Sequence, residues 1–287
     1  VANIRSDRQD RRTTTMLDTT GNLQPRAKGG VTLSSKRRGD KSVIDGLHQS
    51  GCLRLLFPQS SGDTLDAVLI NTSGGVTGGD KIDVSGSVGA GSAMTLTTQA
   101  AERAYCAQPD QTGRITTQLS VGEGAALNWL PQEIILFNGC NLSRELNIDL
   151  TADAQALVVE PVVFGRTAMG ETLTDATFRD RIAISRAGQP IYRDGVQMTG
   201  DIASQLARNA VGQGMSAMAS VIYAHPLAQA RLNAVRAHLP PTGGATLLAE
   251  NLLAIRIMAQ DSYLLRRSLM PIIELLSGTT VPKTWRL

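Results

Sequence analysis

The sequence predicts a mainly β protein of α+β type: a large single-domain assembly of many antiparallel strands, with two or three helices in the C-terminal half. Three observations lead there. Apolar and polar residues alternate with period two in segment after segment from Val31 to Met258. Turn signals punctuate these segments roughly every ten residues. Helical periodicity is almost absent from the first two hundred positions and appears only late in the chain.

Among the strands, "KIDVSGSV" sets Ile82, Val84 and Val88 on one face and Asp83, Ser85 and Ser87 on the other. "RITTQLSV" does the same with Ile115, Leu119 and Val121, and "RELNIDL" with Leu146, Ile148 and Leu150. Each reads as a half-buried strand. "DRIAISRAGQP" reads as a strand ending in a turn, and "SAMTLTTQ", "ALVVEPVVFG", "SAMASVIYA" and "NLLAIRIMA" are further candidates.

Three segments carry helical period. "DIASQLARNAVGQG" has Asp201 to cap it, Ile202 and Leu206 on one face, and Gly212 or Gly214 to end it. "PLAQARLNAVRAHL" puts Pro226 in the first turn and Leu232, Val235 and Leu239 in a stripe. "DSYLLRRSLMPIIELL" has Asp261 as cap and Leu265, Leu269, Ile272 and Leu276 as its apolar face, with Pro271 expected to kink or shorten it. "LPPTGGA" is read as a long turn rather than a linker, and no internal repeat is evident.

Composition narrows the function classes. The 287 residues are 42% hydrophobic, enough for a sizeable core, yet contain only four Phe, four Tyr and two Trp. That core must be aliphatic. The net charge is +3, and much of the basic excess lies in "RSDRQDRR" and "KRRGDK". Residues 1–25 are therefore read as a basic N-terminal arm outside the main body, 26–287. No basic stripe interleaved with aromatics points to nucleic acid. The absence of a long apolar run or signal-peptide core gives the expectation of a cytoplasmic protein without membrane contact. Cys52, Cys106 and Cys140 are widely spaced, which fits reduced thiols.

One segment invites a nucleotide reading and resists it. "NTSGGVTGGDK" spaces Gly74 and Gly79 as a P-loop would, but Asp80 occupies the lysine position, where it would repel phosphate. The segment after it alternates as a strand, so no helix N-terminus faces the loop. The glycines are better explained as turns and close backbone approaches. Catalytic constellations are equally poor: the histidines are His48, His225 and His238, and there is no G-x-S-x-G elbow. His48 and Cys52 in "HQSGC" are read as flanking a turn in preference to a metal site; His225 and His238, at helix ends, are read as structural. A β-rich ligand-binding module and a hydrolase remain alternatives. The few aromatics argue against the first and the few histidines against the second.

Carboxylates in apolar or glycine-rich surroundings stand out: Asp80, Glu133 in "WLPQEIILF", Glu160 in "LVVEPVVFG", and Glu171 in "GRTAMGE". Such groups are rarely buried unless they are paired or hold a cation. Candidate partners are Arg103, Arg144, Arg166 and Arg179. The other reading is a carboxylate-dotted route for a hydrated divalent ion.

Five strings in order, "INTSGGVTGGD", "TTQAAERAY", "NWLPQEIILFNG", "GRTAMGE" and the terminal "VPKTWRL", resemble the urease accessory protein D family (UreD, also called UreH), from about Arg26 to Leu287. Cys106 departs from it, standing where the family pattern has arginine. The resemblance implies a predominantly β, non-enzymatic scaffold that binds apo-urease subunits and accessory protein F. Through F it meets the GTPase accessory protein G. It also implies an internal passage along which nickel reaches the urease active site. On this basis Asp80, Glu133 and Glu171 are expected to line or flank a transient nickel route, with Glu160 a weaker candidate. No catalytic residue and no tightly bound cofactor are expected; nickel is in transit.

Overall fold

The computed structural model describes residues 24–59, 62–166 and 169–286, so almost all of the basic arm lies outside the described residues. Two sheets are built by a chain that passes repeatedly from one to the other. β1 (Lys28–Arg38) and β2 (Lys41–Gly51) form a hairpin in the first sheet, and β3 (Leu53–Leu56) and β4 (Leu65–Asn71) a hairpin in the second. β5 (Lys81–Val88) returns to the first sheet and β6 (Ala93–Thr98) to the second. After the short β7 (Glu102–Ala104), β8 (Gly113–Val121) and β9 (Ala126–Leu130) repeat the step. After β10 (Ile134–Leu136), β11 (Asn141–Leu150) and β12 (Gln155–Phe164) repeat it again.

The hairpin β13 (Ala176–Arg186) and β14 (Gln189–Gly200) closes the first sheet. Helix α1 (Ile202–Ala207) leads to β15 (Ala217–Ala224), α2 (Ala228–His238) to the hairpin β16 (Gly243–Ala249) and β17 (Leu252–Ala259), and α3 (Ser262–Ser277) ends in a short 3-10 turn at Lys283–Arg286. The first sheet reads β14-β13-β11-β8-β5-β1-β2. The second reads β16-β17-β15-β12-β9-β6-β4-β3, with β10 and β7 paired beside β12.

The mainly β class and the three C-terminal helices match the sequence reading, but strand direction does not. Among the described residues, the expectation of antiparallel strands holds only for the hairpins and for β15 against β12 and β17. The middle of each sheet is parallel: β1-β5-β8-β11-β13 in the first and β4-β6-β9-β12 in the second. Period-two alternation reports which face is buried, not which way the neighbour runs. Parallel strands ordinarily need a long crossover, usually helical. Here the crossover is a strand of the opposite sheet, so the turn spacing mimics that of hairpins.

Register explains the core. Val31, Val84, Thr117, Leu146 and Ile182 stand side by side across the first sheet and are all buried. They face Leu96, Leu127, Val158 and Val162 of the second sheet in one apolar cluster. The opposite face of the second sheet, with Leu157, Val159, Val221 and Ile255, packs under Leu265, Leu269, Ile272 and Leu276 of α3. Because β12 and β15 are covered on both sides, every residue of β15 and all but the first of β12 is buried, the continuous apolar pattern of doubly covered strands.

Helix ends refine the expectations. Asp201 caps α1 and Asp261 caps α3, each accepting from the backbone N–H three residues on. α1 stops at Arg208, earlier than expected, and Gly214 serves the turn beyond it with φ +81°. α2 begins at Ala228 after an N-cap at Leu227, so Pro226 precedes the helix. α3 runs through Pro271 to a left-handed Gly278.

Candidate functional site

The glycine loop lies at the mouth of an inter-sheet cavity. Gly75 approaches the chain at Arg103 and Tyr105 so closely that a Cβ would sit 2.2 Å from the Tyr105 ring. Tyr105 Oη in turn donates to the carbonyl of Gly74 at 3.1 Å. The loop is thus fixed by backbone contact, as its glycines required, and it leads into a strand rather than a helix. Asn71 and Gly74 of this loop, with Glu102 and Arg103, line the outer part of a cavity of about 230 Å³; Arg144 and Glu160 line its inner part. The volume is below the range of about 300–1,000 Å³ usual for small-molecule pockets.

The inner end brings buried charges of both sheets together. Arg144 on β11 and Asp180 on β13 are register neighbours that share the inward face with Leu146 and Ile182. Glu160 on β12 points inward with Val158 and Val162, so the charges of two sheets meet. Arg144 donates from Nε to Asp180 Oδ1 at 2.9 Å and from Nη2 to Oδ2 at 2.6 Å. Its Nη1 lies 2.5 Å from Glu160 Oε2, but that oxygen has no partner in hydrogen-bond geometry. Trp129 Nε1 donates to the other oxygen, Oε1, at 2.6 Å. One cation therefore serves two carboxylates that are 3% and 6% exposed.

Burial pushes Glu160 up to about 6, with Asp180 adding to the shift and Arg144 and Trp129 opposing it. Burial works against the Arg144 cation as well, yet the two carboxylates hold it above its ordinary range. At the mouth, Glu102 accepts from Asn71 Nδ2 at 3.1 Å and from the Arg103 backbone at 3.1 Å, and burial raises its affinity for a proton. A surface-to-core path thus has one carboxylate at each end, each inclined to hold a proton or another positive partner.

The three expected route residues do not converge. Asp80 is buried and accepts from Ala27 N at 2.7 Å and Thr77 N at 2.8 Å, pinning the start of β1 to the glycine loop. Glu133 receives the fork of Arg266 through two 2.5 Å contacts. The same guanidinium donates to Gln132 and lies 5.6 Å from the centre of the Trp285 ring, whose Nε1 donates to Leu130 O at 3.0 Å. Glu171 pairs with Arg166 at 2.8 and 3.0 Å, and that pairing lowers its proton affinity. Of the named arginines, Arg144 and Arg166 are the partners used; Arg266, which grips Glu133, is not among them. Among the described residues no group of three or more His, Cys, Asp or Glu side chains is arranged to hold a metal. His48 is exposed on β2, while His225 accepts from Leu227 N and stacks on Tyr223, and His238 meets Ala234 O.

Arg144, Asp180 and Glu160 share one sequence signal: each interrupts an otherwise apolar inward register, before Leu146 and Ile148, before Ile182 and Ile184, and between Val158 and Val162. A charge at such a position marks a buried pair. Trp129 and Glu102 carry no comparable signal, because their roles depend on which strands become neighbours.

Fold and site together define a coiled two-sheet β protein with a helical outer layer, whose interior charges are paired and border a small, largely apolar cavity that carries a few polar groups. A family model described as UreD urease accessory protein matches residues 27–286. The chain belongs to that family. It is 50% identical over 276 residues to the urease accessory protein UreD of Roseobacter denitrificans, covering 96% of this chain and 99% of that one. It is 48% identical to the UreD protein of Ruegeria pomeroyi, over 89% of this chain and 99% of the relative, and 40% identical to that of Agrobacterium fabrum, over 92% and 93%. Among the described residues no helix is long and apolar enough to cross a membrane.

Proposed function

We propose that this chain is a non-enzymatic scaffold for assembly of the urease nickel metallocentre. It binds apo-urease and, through accessory protein F, the GTPase accessory protein G, and it conducts nickel toward the urease active site. The observation that best supports conduction is the cavity running from Asn71 and Glu102 at the surface to Glu160 in the interior, within a chain of the UreD family. Carboxylate and water oxygens suit a hydrated divalent cation in transit, and sparse ligands keep its residence short. Glu102 and Glu160 line this route, and in this reading Asp80, Glu133 and Glu171 flank it.

The test is co-expression of urease subunits with and without this chain, followed by nickel content and urea hydrolysis of the purified urease. Nickel loading and activity should fall without it. Equal loading in both would refute the scaffold role. The route is tested separately with Glu102→Gln and Glu160→Gln, checked for folding first; full activation by both would refute the path while leaving the scaffold role intact. Asp80→Asn is a poorer probe, because an amide cannot accept from two backbone N–H groups with both of its heavy atoms.

A further inference from the structure

Two thiols face each other at the end of the fold nearest the glycine loop. Cys106, just after β7, and Cys140, just before β11, form an isolated antiparallel bridge. The backbone bonds lie beside the pair rather than within it: Ala107 N donates to Gly139 O at 2.9 Å, while Cys140 N donates to Phe137 O at 3.1 Å and Cys140 O accepts from Thr177 N at 2.8 Å. This is the non-hydrogen-bonded type of pair, whose Cα atoms are about 4.5 Å apart with both side chains on one face. That separation falls inside the window of about 4.4–6.8 Å spanned by disulfides.

A second observation places the sulfur. Gly139 has φ +78°, and a Cβ on it would lie 2.5 Å from Cys106 Sγ, so this thiol rests over the backbone immediately before Cys140. The two differ in access: Cys106 is exposed and Cys140 is buried, both as free thiols. Four chain segments meet around them. Thr77 donates to the carbonyl of Cys106 at 2.7 Å, and Tyr105 packs edge-on against Phe137 at 5.0 Å. Arg166 lies 4.3 Å from the centre of the Phe137 ring, and Asn138 accepts from Asp175 N at 2.9 Å.

We propose that Cys106 and Cys140 are a redox-modification site, closed by a hydroperoxide into a cross-strand disulfide that locks the β7 end of the fold to the turn before β11. The exposed Cys106 sulfur attacks a peroxide oxygen and the O–O bond breaks, giving Cys106 sulfenic acid and one water or alcohol. The Cys140 sulfur then attacks Cys106 Sγ; the S–S bond forms, the S–O bond breaks, and the departing hydroxide leaves as water with the Cys140 proton. The dithiol loses two electrons and the peroxide gains them. Burial, with Cys106 nearby, pushes the Cys140 thiol up to about 12, so the exposed Cys106 is the thiol that meets the peroxide first.

The experiment treats the reduced full chain with hydrogen peroxide in the presence of a chelator and maps tryptic peptides without reduction. The expected product joins the peptide at positions 104–114 to the peptide at 115–144, lighter than their sum by two hydrogen atoms and separated again by dithiothreitol. In Cys140→Ala, a dimedone-reactive sulfenic acid persists on Cys106. In Cys106→Ser, at an exposed position that keeps the fold, Cys140 stays a free thiol. Over-oxidised Cys106 beside a free Cys140, or a link made through Cys52 instead, would overturn the assignment.

Discussion

Replacing Glu160 by Gln removes one charge from the interior while keeping shape and an acceptor for Trp129. The folded protein holds the Glu160 proton up to about pH 6, against an ordinary value of 4.5. Between those values the folded state carries more protons than the unfolded chain, so this group makes stability fall as pH rises through that window. The gap, at about 1.4 kcal/mol per tenfold change in proton affinity, comes to about 2 kcal/mol at pH 7 and above. The neutral variant escapes that cost. Glu160→Gln is therefore expected to be more stable than the parent by about 2 kcal/mol at pH 7.5, or roughly 5 °C in melting temperature, with the difference vanishing near pH 4.5. Urea titrations of both proteins at half-unit pH steps measure it. Parallel curves, or a variant less stable at neutral pH, would show that the Arg144 contact outweighs burial and would refute the reasoning.

The same geometry leads to three more expected outcomes. Arg144→Met strands two buried carboxylates and should cost about 3–5 kcal/mol in urea unfolding, part of it recovered in the double variant with Glu160→Gln. Asp80→Ala removes the acceptor for two backbone amides and should cost about 2–4 kcal/mol, with hydrogen exchange speeding up first at Ala27 and Thr77. Arg266→Lys loses the two-pronged grip on Glu133 and the contact with Trp285. It should cost about 1–3 kcal/mol and make the C-terminal turn at Lys283–Arg286 the earliest site of limited proteolysis.

Much of this structure was legible in the sequence because burial writes itself in period two. The inward faces of β5, β8 and β11 and the stripe of α3 were all read correctly, for the aliphatic side chains that fill the core are also the ones that alternate. Strand direction was not legible. Val84 opposite Thr117 would alternate identically beside a parallel or an antiparallel neighbour, and only the path of the chain decides. The carboxylates were legible as unusual, but their partners were not: Glu133 meets an arginine 133 positions away, on a helix packed against the far side of the second sheet. The three-way meeting at Arg144 required knowing that β12 faces β11 across the core. Turn chemistry fared better, since the glycines near Asp80 carry their conformational requirement with them.

The coiling of the chain between sheets sets the order in which the protein can assemble. In the parallel core, among the described residues, no strand pairs with its sequence neighbour; Val84 waits about thirty residues for Thr117, which waits about as long for Leu146. Contacts this distant close slowly, because the loop entropy is lost before the pairing repays it. The local hairpins β1-β2 and β13-β14 stand at opposite ends of the first sheet, natural starting points from which coils add one at a time. Arg144, Glu160 and Asp180 come from three successive strands in two sheets, so their cluster forms only when the last coil has docked. A fluorescence change at Trp129, which donates to Glu160, would time the completion of the whole molecule rather than its beginning.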